Sequence, residues 1–253
     1  MAIKAKSAPS AAGNTSPDAT VGAVLTALEA QASQKIRDEM APRYGIVTER
    51  AFGMPMAKML AMAKGLGPNH DLAAALWDSG WYEARMVACM IEDPACVTPA
   101  QMDAWRRDFD NWGICDTVCF KLFDRTPYVF AKVAEWSGLN DELGKRAAFA
   151  LLASAALHGK GGEADYLGAL PLVERAASDD RNFVKKGVSW ALRAMGEKGS
   201  PTTKAAALAL ARKLAASSHA TERWIGKDAL KSFERKRASQ ARAQVSPGLH
   251  DTR

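Results

Sequence analysis

The sequence predicts an all-α protein, a superhelical stack of antiparallel helix pairs with one concave face. Three observations carry this. From about residue 18 to 235 almost every segment sets apolar residues at helical spacing, and none alternates as a strand does. Start and stop signals fall between those segments: Thr98-Pro99 and Ser200-Pro201 suit first turns, while Gly138, Gly159 and Gly196 suit helix ends. The helices also come in pairs, roughly one pair per 30–45 residues, the period of helical solenoids. Stacked pairs form a cradle for an elongated partner. A closed helical bundle is the alternative, because the pairs share too little sequence to prove repetition.

In chain order, Val21, Val24, Leu25 and Leu28 stripe one face of a first helix. Met56, Met59, Leu60 and Ala63 stripe another, closing at Gly65. Paired helices follow at 72–77 with 82–91, 99–108 with 112–123, 128–136 with 142–157, 167–177 with 182–195, and 202–215 with 222–233. Trp77, Trp81, Trp105, Trp136 and Trp224 read as core residues of these stripes. Glu83 and Arg85 read as structural partners between repeats. Residues 1–17, rich in Ala, Ser, Gly and Pro, and the basic tail 236–253 read as disordered, which leaves 18–235 as one helical-repeat domain.

A formal charge of +6 makes a polyanion a plausible partner without naming it. No apolar run approaches the ~20 residues that span a bilayer, and no apolar segment follows the early lysines as in a secretory signal. The expectation is a cytoplasmic monomer with no membrane partner. Cys89, Cys96, Cys115 and Cys119 suggest neither a disulfide framework nor, without partnering histidines, a metal site. Neither a metal nor a cofactor is expected. The four histidines lie apart.

Two stretches stand out. In Asn111-Trp112-Gly113-Ile114-Cys115-Asp116 the indole and the carboxylate are four apart, on one helical face, where both could meet one ligand. In the second, residues 183–193, Trp190 is flanked by Lys185, Lys186 and Arg193. An acid and two indoles in a basic helical chain suit a cationic base carried on a polyanion.

These stretches, with Leu76-Trp77, Tyr82-Glu83-Ala84-Arg85, Lys145-Arg146-Ala147-Ala148 and Asp180-Arg181, resemble the AlkD-like DNA alkylation repair family of HEAT-like repeat alkylpurine DNA glycosylases. The resemblance runs from about residue 44 to 233. It implies a HEAT-like stack with a basic concave face, acting on double-stranded DNA that contains alkylated bases. It also implies a metal-free hydrolysis of the glycosidic bond of cationic N3- and N7-alkylpurines. Asp116 would then stabilise the charge developing on the sugar and orient water, with Trp112 and Trp190 against the lesion nucleotide. Arg146 would grip a nearby phosphate, and Arg181, Lys185, Lys186 and Arg193 would add backbone contacts. Gly187 stands where such a helix usually has alanine. Some relatives of this fold lack the site residues, so a non-catalytic protein that binds damaged or branched DNA is the alternative. A scaffold for another protein is a third.

Overall fold

Several helices begin where a side chain can accept a backbone N–H of the first turn. Thr98 and Ser200 accept from Gln101 and Thr203, each with proline following, and Asn69, Asn111 and Asp141 accept from Leu72, Ile114 and Gly144. The structure, a computed structural model, describes residues 20–245. Among the described residues it is all-α, without a strand: α1 (Val21–Glu29), α2 (Gln34–Tyr44), α3 (Met56–Leu66), α4 (His70–Asp78), α5 (Tyr82–Ile91), α6 (Pro99–Arg107) and α7 (Trp112–Lys121) lead to a 3-10 turn at Phe123–Arg125. Then follow α8 (Val129–Trp136), α9 (Glu142–Leu157), α10 (Glu163–Ala176), α11 (Asn182–Lys198), α12 (Pro201–Ala215) and α13 (Ala220–Val245).

These residues divide into two compact units, 20–39 with 50–93, and 40–49 with 94–245. In the first, α1, α3 and α4 pack on α5, which is buried along nearly its whole length. Glu83 of α5 is fully buried, and its carboxylate accepts the backbone N–H groups of Phe52, Gly53 and Met54 at 2.8–3.1 Å. Gly53 has φ +79°, and a Cβ there would run into the backbone of Ser33 and Arg37. Arg85 lies over the Trp77 ring, and Trp81 stacks on Phe52 at 4.0 Å. Glu83 and Arg85 are thus structural.

In the second unit α7, α9, α11 and α13 lie side by side in chain order as one layer, and α8, α10 and α12 form another. Short connections join α8 to α9, α10 to α11 and α12 to α13, each pair in contact. The buried face of α9 is rich in alanine, from Ala147 to Ala156, so its neighbours approach closely. The thiols of Cys115 and Cys119 reach the α9 carbonyls of Leu143 and Ala147 at 3.8 and 3.6 Å. Burial raises the Cys119 thiol well above its ordinary pKa, as befits a small core residue.

Three departures have physical causes. α2 carries few apolar residues, buries only Met40 and contains Pro42, so no stripe announces it. Gly196 does not end α11. It lies within the helix, at a position where a Cβ would collide with the Phe233 ring of α13. α13 extends to Val245, into the segment expected to lack order. Lys236 to Val245 contains no glycine or proline, and the first breaker is Pro247. Residues 1–17 and the end of the tail lie outside the described residues.

Candidate active site

Asp116 lies one turn into α7, whose start is fixed by Asn111 accepting from Ile114 at 3.0 Å. Facing it from α9 is Arg146, only 6% exposed. Its Nε donates to Asp116 Oδ1 at 2.8 Å and its Nη2 to Oδ2 at 2.7 Å, while Nη1 donates to the Phe183 carbonyl of α11 at 2.8 Å. One guanidinium therefore ties three adjacent helices. Burial pushes the Asp116 carboxyl above its usual pKa, against the lowering pull of the Arg146 charge and hydrogen bonds. Burial lowers the Arg146 pKa, but the Asp116 charge more than offsets it, so the guanidinium stays charged.

Beside this pair lies a hollow of about 330 Å³, lined by Asp116, Arg146, Lys186, Ser189, Trp190, Arg193, Trp224 and Asp228. Trp112 is not among its walls. It lines a second hollow of about 420 Å³ with Arg43, Tyr44, Phe183 and Lys186. The spacing puts Trp112 and Asp116 on one face, but the Arg146 guanidinium, 5.9 Å from the Trp112 ring centroid and 5.8 Å from that of Phe183, borders both hollows. The Trp112 Nε1–H donates to the Tyr44 carbonyl at 2.8 Å, which anchors the ring.

The basic residues divide between roles. Lys186 is exposed and borders both hollows. Arg193 borders the first, with Nε 3.3 Å from Asp228 Oδ2. Lys185 lies over the Trp224 ring, 5.0 Å from its centroid. Arg181, expected on a DNA backbone, is half-buried and pairs within the protein. Its Nε and Nη2 hold Asp179 at 2.9 and 2.6 Å, and Nη1 donates to the Asn140 carbonyl at 2.6 Å. Arg146, expected to grip a phosphate, is likewise committed to Asp116.

Two residues of the hollow escaped the sequence reading. Trp224, read as core, is 42% exposed. Asp228 accepts from the Ser189 hydroxyl at 2.6 Å. Their signal was present: Trp224 and Asp228 have the same four-residue spacing as Trp112 and Asp116. Among the described residues no group of His, Cys, Asp and Glu is placed to hold a metal ion, and no helix is long and apolar enough to cross a membrane.

The arrangement offers a carboxylate of fixed orientation, indoles beside it, and an exposed lysine, Lys186, with the half-buried Arg193 at the rim. It suits a cationic centre carried on a polyanionic chain. No curated protein matches the chain. A solved structure from "a new family of proteins related to the HEAT-like repeat DNA glycosylases with affinity for branched DNA structures" matches it with a TM-score of 0.72, 19% identity, and coverage of 86% of this chain and 95% of that one. That likeness shows a shared helical-repeat fold. The model of a family described as "DNA alkylation repair enzyme" matches residues 24–233, and the chain belongs to that family.

Proposed function

We propose that the protein is a DNA glycosylase that hydrolyses the N-glycosidic bond of cationic N3- and N7-alkylated purines in DNA. The observation that carries this is the Asp116 carboxylate, held by Arg146 at the edge of a hollow that also contains Trp190 and the exposed Lys186. An alkylated purine is already positively charged and departs as a neutral base. The enzyme must stabilise positive charge at C1′ and guide a water to it. As the bond from C1′ to the base nitrogen breaks, a new C1′–O bond forms. Asp116 stabilises the oxocarbenium electrostatically and orients the water, whose proton passes to Asp116 or to solvent. Trp190 lies against the lesion nucleotide, and Lys186 and Arg193 meet phosphates, which adds affinity without sequence preference. The open hollow suits a base that is not enclosed in a deep pocket.

Release of free base from methylated duplex DNA, wild type beside Asp116→Asn, is the test. Release by the wild type alone supports hydrolysis and the role of the acid, whereas an active Asn variant sinks it. A second reading is a non-catalytic protein that binds damaged or branched DNA. Arg146 occupies both Asp116 oxygens, which favours it, as does the branched-DNA affinity of the structurally similar family. Tight DNA binding with no release by the wild type would select it.

A further inference from the structure

The chain carries its aromatic–acid spacing twice, as Trp112-x-x-x-Asp116 on α7 and Trp224-x-x-x-Asp228 on α13, and both acids line one hollow. The rotation of the second pair is fixed. Between its two members Gly226 meets the α12 backbone at Ala211 and Ala215 so closely that no Cβ fits. Asp228 is held on one oxygen only, since Ser189 Oγ and Arg193 Nε both lie on Oδ2 at 2.6 and 3.3 Å. Among the described residues Oδ1 has no protein partner. Trp224 is an exposed indole steadied by Lys185 at 5.0 Å.

From this we propose that Trp224 and Asp228 form a second subsite that seats an unpaired guanine of DNA. The proposal rests on the DNA-binding part of the function above, not on its hydrolytic part. An exposed indole stacks on any base. The open Oδ1 selects, because guanine alone among DNA bases presents two adjacent donors on its pairing edge, N1–H and the N2 amine, which can converge on one acceptor oxygen. Adenine and cytosine place an acceptor nitrogen beside their amine, and thymine flanks its single N–H with carbonyls, so each sets an acceptor against the carboxylate. In an intact duplex that edge is occupied, so the subsite reads a base that has lost its partner. Lys186 and Arg193 stand in the same hollow to meet its phosphate.

The test measures binding of the full chain to duplexes with one bulged guanine, the same duplex with bulged hypoxanthine, which lacks only the 2-amine, and a fully paired control. The wild type should prefer bulged guanine over hypoxanthine by about tenfold, as expected for a hydrogen bond to a charged group. Asp228→Asn should erase that ratio, and Trp224→Ala should weaken both bulged duplexes, with Trp224→Phe restoring them. No bulge preference in the wild type, or a guanine ratio unchanged in the Asn variant, overturns the proposal. Release of 7-methylguanine is measured in parallel. Release without a bulge preference overturns this subsite alone, and a bulge preference without release overturns the hydrolytic reading alone.

Discussion

Asp116 and Arg146, thirty positions apart, meet through two parallel hydrogen bonds of 2.8 and 2.7 Å across the α7–α9 contact. A buried guanidinium in that geometry acts through the acid it orients and not as an open anchor for phosphate. Arg146→Ala should therefore destabilise the fold by about 3–5 kcal/mol, the usual result of leaving a buried charge unpaired. Arg146→Lys should recover little, since an ammonium cannot make the paired contact. If Arg146 instead gripped DNA, its loss would flatten the salt dependence of binding with little change in thermal stability.

Lys186 makes the opposite case. It is exposed and borders both hollows, so Lys186→Ala should lower the slope of log affinity against log salt by about 1, equally for all sequences. Thermal stability should be unaffected. A slope identical to that of the wild type would remove Lys186 from the interface.

The acid limb of the rate profile follows from Asp116. Only the ionised carboxylate stabilises positive charge, and burial raises its pKa. Base release should thus decline, as pH falls, at a higher pH than an ordinary carboxylate would give. A rate unchanged down to the usual carboxylate range would contradict the assignment.

Asp179 predicts a stability change of the opposite origin. Hydrogen bonds from Arg181, and then from Lys145, hold its pKa down at about 2. A carboxylate depressed on folding stabilises the protein above its unfolded pKa of roughly 3.9, and that contribution fades as pH falls towards about 2. Asp179→Asn should cost about 1–2 kcal/mol at neutral pH, discounted for solvent screening, and the gap should close in acid. Urea melts at neutral pH and near pH 2.5 check both halves.

Two glycines should answer to alanine with opposite signs. At Gly187 a Cβ would meet Arg146 and Phe149 at 3.5 Å, an ordinary contact, inside a helix. Gly187→Ala should stabilise by about 0.5–1 kcal/mol. Gly53 combines φ +79° with backbone in the way, so Gly53→Ala should destabilise by more than about 1 kcal/mol. Thermal melts of both variants decide, and equal shifts would refute the geometric reasoning.

Sequence by itself determined the helices with strong stripes, their order, their capped starts at Thr98 and Ser200, and the aromatic–acid spacing on α7. These are local properties, written in periodicity, propensity and the needs of unpaired backbone groups. It missed α2, whose polar surface carries no stripe, and it ended α11 at Gly196, where glycine serves packing. Only the tertiary structure decided which residues share a hollow. It put Arg146 between Trp112 and Asp116, withdrew Arg181 to Asp179, and brought Trp224 and Asp228 beside Trp190. Apart from the local Arg181–Asp179 pair, such partnerships join residues some thirty or more positions apart, and they follow from how α7, α9, α11 and α13 lie against one another. A helix face is fixed by its own residues, but what that face meets is fixed by the packing of its neighbours.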